Sequence, residues 1–130
     1  MHYGICSNCG TTGIVEKHHV FFKSKARALK NCSLNFVDLC TDCHRGTYGV
    51  HGKHGHRLDI KLKKYKQIEL KIVVTNVVQG KGTVFEGLAK ELGIAVKEIS
   101  DSCKNLKSFY STDNEYIDDL VRALQGGRLY

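Results

Sequence analysis

The sequence predicts a small α+β protein: a metal-stapled domain built on a few strands, followed by a mainly helical, helix-turn-helix-like C-terminal segment. Three observations carry this. Two Cys-x-x-Cys pairs, Cys6 with Cys9 and Cys40 with Cys43, stand at either end of a β-branched and aromatic run that contains adjacent histidines. From about residue 57 onward, apolar residues recur at helical spacing instead. The expected boundaries are 1–73 for the stapled domain, 74–83 for a linker and 84–130 for the helical segment. Pieces this short bury too little apolar surface to be stable alone, and a bound metal is a common remedy.

The chain has 130 residues, of which 42% are hydrophobic and 25% charged, a balance typical of folded rather than disordered chains. Its start shows no basic stretch leading into an apolar one, and no apolar run is long enough to cross a bilayer. A cytoplasmic location without membrane partners is therefore expected. There thiols stay reduced, and paired cysteines favour zinc; two disulfides are the alternative reading. Twenty Lys and Arg against thirteen Asp and Glu leave a formal charge of +7, which suits a polyanion such as nucleic acid or serves solubility alone.

In chain order, Cys6-Ser7-Asn8-Cys9-Gly10 combines two thiols with small, turn-forming residues, so both sulfurs can face one ion. Cys40-Thr41-Asp42-Cys43 repeats the pattern, and together they supply the four soft ligands of a tetrahedral structural Zn2+. The interval between Cys9 and Cys40 is too long for a plain zinc ribbon, so something is inserted. Cys32 and Cys103 lack such partners and read as buried thiols. Within the insertion, residues 14–22 read as a strand, on which His18 and His19 point to opposite faces. Residues 23–30 form a basic loop or helical turn, whose Lys23, Lys25 and Arg27 either contact phosphate or merely solvate the surface. Residues 34–39 read as a second strand.

After Cys43 come His44 and Arg45, then glycines at 46, 49, 52 and 55 around His51 and His54, with His56 following. The glycines break any helix and predict a flexible turn. A basic amphipathic helix is expected over residues 57–73, with Leu58, Leu62, Tyr65, Glu69 and Ile72 on one stripe, Ile68 beside it and lysines over much of the rest. Residues 85–99 have the spacing of a helix-turn-helix: Ala89 where two helices cross, Gly93 in the turn and Ile99 in the core. The second helix, about 96–106, would offer Lys97 and Lys104 to a groove, unless the pair serves only packing. Tyr116, Ile117, Leu120, Val121 and Leu124 then mark a last helix, stopped at Gly126 and Gly127.

In their order and intervals, the Cys-x-x-Cys knuckle, His18-His19, Asn35 followed by Phe36-Val37-Asp38-Leu39, Cys40 to His44, and Val50-His51 resemble the HNH or ββα-metal endonucleases, in particular small phage-type HNH proteins. The likeness spans roughly half the chain. It implies a ββα-metal fold and metal-dependent hydrolysis of DNA phosphodiester bonds, as nicks or double-strand cuts. It implies further that His18, His44 and His51 hold a catalytic divalent ion (Mg2+, Mn2+, Ni2+ or Zn2+), with His54 or His56 as substitutes for His51. His19 would be the general base and Asn35 would hold the base's loop, while Cys6, Cys9, Cys40 and Cys43 bind structural zinc. DNA is the implied partner, with Arg45 a further phosphate contact. Cutting both strands would call for a homodimer, and a phage origin would place the protein in the bacterial host cytoplasm. The alternative function is a zinc-stabilised DNA- or protein-binding regulator without nuclease activity, acting through the C-terminal segment.

Overall fold

A computed structural model describes all of residues 1–130. It is α+β: three antiparallel strands, β1 (His2–Ile5), β2 (Thr12–His19) and β3 (Phe36–Cys40), and five helices, α1 (Thr41–Arg45), α2 (His56–Val78), α3 (Val84–Leu92), α4 (Val96–Ser102) and α5 (Asp113–Leu124). Two short 3-10 turns, Arg27–Leu29 and Ser33–Asn35, lie between β2 and β3. No helix is long and apolar enough to cross a membrane.

The chain divides into two compact units, and their boundaries differ from the expected ones. The first unit is Met1–Val20 with Phe36–Tyr65, and the second is Phe21–Asn35 with Lys66–Tyr130. The expected linker at 74–83 is half helix, because α2 continues to Val78. A β-branched run that turns glycine-rich suggests a linker from residue 74, but Val74 is fully buried on the helix.

In the first unit the sheet runs β1-β2-β3, with His2 opposite Val15 and Ile5 opposite Thr12 on one side of β2, and Val15 opposite Cys40 and His19 opposite Phe36 on the other. Val15 is buried on one face of β2 and His18 on the other, and Val20 just beyond the strand is buried as well. A small core gathers Cys6, Val20, Val37, Leu39, Val50 and Leu62, with Leu58 against it.

The second unit holds the larger core, in which Phe21 and Leu29 join Leu70 and Val74 of α2, Leu88 and Leu92 of α3, Ile99 of α4, and Ile117, Leu120 and Leu124 of α5. Gly93 takes a left-handed φ of 67° between α3 and α4, as a tight inter-helix turn requires, and α4 ends at Ser102, earlier than expected. The stripe expected on α2 is only partly the buried one. Tyr65, Ile68 and Ile72 are exposed, whereas the buried row runs Leu62, Lys66, Leu70 and Val74 at four-residue steps. Two lysines on the helix are buried beside carboxylates: Lys63 donates to Asp59 at 2.7 Å and Lys66 to Glu69 at 3.1 Å. Long aliphatic stems let such residues share an apolar face.

The stop after α5 has a structural use. Gly126 has φ +87°, and a Cβ there would sit 2.8 Å from the Lys25 backbone. Gly126→Ala should lose at least about 1 kcal/mol of stability from the left-handed backbone alone, measured by urea denaturation.

Candidate metal centre

The sheet register brings the cysteines together. Cys6 and Cys9 lie in the turn joining β1 to β2, and Cys40 closes β3 directly before α1. Because Cys40 pairs with Val15, three residues into β2, the end of β3 returns to the turn where β2 began. The four sulfurs lie within 4.8 Å of one another, and those of Cys9 and Cys40 are 3.8 Å apart. Two corners of a tetrahedron of sulfurs at about 2.3 Å from zinc are about 3.8 Å apart. All six cysteines are free thiols in this structure.

Local bonds shape both knuckles. The Cys6 N–H donates to Thr11 O and the Gly10 N–H to Cys6 O, while the Cys43 N–H donates to the Cys40 sulfur at 3.4 Å. Asn8 Nδ2 donates to the Cys43 sulfur at 3.3 Å, and the Cys9 thiol lies 3.1 Å from Thr11 Oγ1. Burial pushes the Cys6 thiol up, but N–H groups of Cys9, Cys40 and Asn8 outweigh it and bring the group down to about 6. The Thr11 hydroxyl and N–H lower Cys9, whereas burial and then the neighbouring sulfurs push Cys43 up to about 12. A set that favours some thiolates and resists the last one fits a divalent cation, which supplies the missing positive charge.

The second cluster is of histidines. His18 comes from β2, His44 from α1 and His51 from the turn after it; their ligand nitrogens lie within 4.8 Å of one another. Ring centroids are 5.2 Å apart for His18 and His44, 5.1 Å for His18 and His51, and 4.8 Å for His44 and His51. His51 reaches the cluster because residues 46–55 coil tightly instead of forming the flexible turn expected. The Val50 N–H donates to Cys43 O at 2.9 Å and the His51 N–H to His44 O at 3.0 Å. Glycine permits this coil, since a Cβ at Gly52 would collide with Gly46 O, and one at Gly55 with Gly49 O. His54 instead stacks on Tyr48, and exposed His56 opens α2, so neither joins the three.

The chemistry of this cluster fits a cation. Burial, followed by the charges of His51, His44, His19 and Lys63, brings His18 down from 6.5 to about 3, so at neutral pH it presents a lone pair. His18 Nε2 is buried and has no hydrogen-bond partner, an arrangement that a metal ligand resolves. Burial and the His44 charge also lower His51, against an upward pull from Asp59. Asp59 Oδ1 is a second buried atom with no hydrogen-bond partner.

Sequence reasoning missed Glu16 and Asp59. Glu16 Oε1 accepts from His44 Nδ1 at 2.9 Å and from Arg45 Nε at 3.0 Å; the His44 hydrogen bond, then the Arg45 charge and hydrogen bond, hold its carboxyl below the usual range against burial. A carboxylate on Nδ1–H fixes the tautomer that leaves Nε2 free for a metal. Its position two residues before His18, on the same face of the strand, was the available signal. Arg45, expected at phosphate, spends one N–H on Glu16 while its side chain stays 65% exposed. His19 stands apart from the three, its ring edge-on to Phe36 at 4.7 Å. Asn35 is fully buried in the second unit, where its Oδ1 accepts from the Phe21 N–H at 2.7 Å and its Nδ2 donates to Phe21 O and Leu29 O. It therefore anchors the backbone two residues beyond His19. Of the other cations expected at phosphate, Lys25, Arg27, Lys97 and Lys104 line one groove of the second unit, and Lys23 does not.

No family model, curated protein or solved structure matches the chain. What the geometry defines is a four-cysteine cluster able to hold a structural ion such as zinc. Beside it in the same unit stands a separate cluster of three imidazoles.

Two measurements probe the histidines. Glu16→Ala should weaken Ni2+ or Co2+ binding about 10- to 100-fold by calorimetry while the cysteine-bound zinc is retained. With only that zinc bound, folded His18 resists a proton that the unfolded chain accepts below about pH 6.5. The contribution is therefore intact above that pH and declines as pH falls toward 3. Melting temperature should drop more steeply between pH 7.5 and 5.5 for the wild type than for His18→Gln, and equal slopes would contradict the assignment.

Proposed function

We propose that the protein is a metal-dependent DNA endonuclease of the HNH type, with a structural zinc at its four cysteines. The observation that carries this reading is the convergence of His18, His44 and His51, with His44 oriented by Glu16 and His19 adjacent to His18 on β2. Three protein ligands leave a coordination position open, the mark of a catalytic rather than a structural site. A divalent ion bound there would supply Lewis-acid stabilisation of the charge that builds on the phosphoryl oxygens. Three imidazoles suit Ni2+ or Zn2+ better than Mg2+ or Mn2+, which prefer oxygen ligands.

The chain's own residues perform the rest. His19 takes the proton from the attacking water as its oxygen bonds to phosphorus. The phosphorus-to-leaving-oxygen bond breaks, and that oxygen takes a proton from solvent. Asn35 keeps the backbone after His19 in place through its paired bonds to Phe21. Glu16 holds His44 in the ligating tautomer, and Arg45 has guanidinium N–H groups left to meet a phosphate.

Purified protein should cleave supercoiled plasmid with added Ni2+, Mn2+ or Mg2+. Loss of a general base typically costs 10^2- to 10^4-fold, so His19→Ala should fall by about that factor with zinc content and melting temperature unchanged. Equal inactivity of both proteins across these ions, with DNA binding intact, would favour the non-catalytic regulator.

A further inference from the structure

The second unit contains a groove of about 1010 Å3 that the histidine chemistry does not use. Segments far apart in sequence meet there: the 3-10 turn at Arg27–Leu29 with its flanks, helix α4 with the residues on either side, and the end of α5 with Gly126 and Gly127. Gly126 is needed for the closeness of that junction, since its backbone meets that of Lys25.

The groove is strongly basic. Lys25, Arg27, Lys30, Lys97, Lys104 and Arg122 line it, against only Glu98, Asp101 and Asp119. Two of those acids already have partners. Asp119 is paired with Arg122 and accepts from Tyr110, while Asp101 lies 3.7 Å from Lys104. Lys25, Arg27 and Lys97 form no ion pair with any carboxylate and are exposed, so their charge faces the groove uncompensated. Asn31, Ser102 and Asn105 add neutral hydrogen-bonding groups of the kind that contact phosphate and sugar.

We infer that this groove binds the sugar-phosphate backbone of DNA, through Lys25, Arg27 and Lys97. The inference rests on the reading that nucleic acid is the substrate of the histidine site. An acidic peptide would match the charge equally well, but peptide-binding surfaces concentrate their affinity in aromatic and large apolar anchors. No aromatic residue lines this groove, and its two large apolar side chains, Ile94 and Leu106, pack against the core. Backbone phosphates require only dispersed cations and polar donors, and each neutralised phosphate adds a salt-dependent increment to affinity.

The test is binding without cleavage: fluorescence anisotropy of a labelled duplex with the zinc-loaded full chain and no added divalent ion, over a range of salt concentrations. Arg27→Ala/Lys97→Ala is compared with Lys81→Ala/Lys90→Ala, which removes the same charge from exposed positions outside the groove. The groove variant should bind at least tenfold more weakly, with the slope of log K against log salt reduced by about 2, one per lost contact. The control should match the wild type. Arg27→Gln/Lys97→Gln repeats the comparison with the side-chain stems kept, and zinc content and melting temperature verify folding. Equal weakening in groove and control variants would mean that only bulk charge matters and would overturn the proposal. Unchanged duplex binding with lost binding of a labelled polyglutamate would also overturn it, identifying a peptide site. Groove-dependent binding by a wild type that cleaves nothing would leave the groove standing and remove the nuclease reading.

Discussion

The convergence of four cysteine sulfurs within 4.8 Å of one another, a set able to hold one cation, is the constraint on which the first unit depends. Its sheet is three short strands, and its core is a handful of side chains, one of them Cys6 itself. So small a core gives little hydrophobic stabilisation, and an ion held by the four cysteines would link the β1-β2 turn to the β3-α1 junction where packing alone is thin. The same junction launches α1, which carries His44 one residue after Cys43. The geometry of the imidazole cluster is thus inherited from the geometry of the sulfurs.

Much of this was legible because ligands announce themselves by type and spacing. Paired Cys-x-x-Cys motifs and His18-His19 on a β-branched run need no tertiary information to suggest two different clusters. His51 was harder to place, since spacing alone left His54 and His56 as substitutes for it. The choice depends on a glycine coil whose backbone bonds return His51 to His44. Glu16 and Asp59 were not read at all, because a single carboxylate on a strand or helix looks like any solvated charge until its partner is known. On α2 the expected stripe was not the buried row, because that row includes Lys66 and ends at Val74, beyond the expected end of the helix.

The second unit follows a different physical logic. It contains no candidate ligand cluster and relies on a continuous apolar core of aliphatic side chains from four helices and the segment around Phe21 and Leu29. Two polar side chains there are matched individually: buried Asn35 answers three backbone groups, and half-buried Gln67 accepts from the Tyr130 N–H while donating to its carbonyl. Helix propensity and periodicity sufficed to read α3 and α5, whereas the surface that gathers Lys25, Arg27 and Lys97 arises only from folding.

The division of the chain has an evolutionary consequence. The backbone leaves the first unit after Val20, returns at Phe36 and leaves again after Tyr65 within a single helix. The units are interleaved, so no single recombination point can exchange one for a homologous module. A crossover anywhere in residues 21–35 would divide a core that also needs residues 66–130, and a stop codon after α2 would leave Phe21 and Leu29 without the helices that cover them. Inheritance should therefore keep both halves together, and insertions should accumulate in the exposed turns, such as residues 79–82, where neither core is crossed.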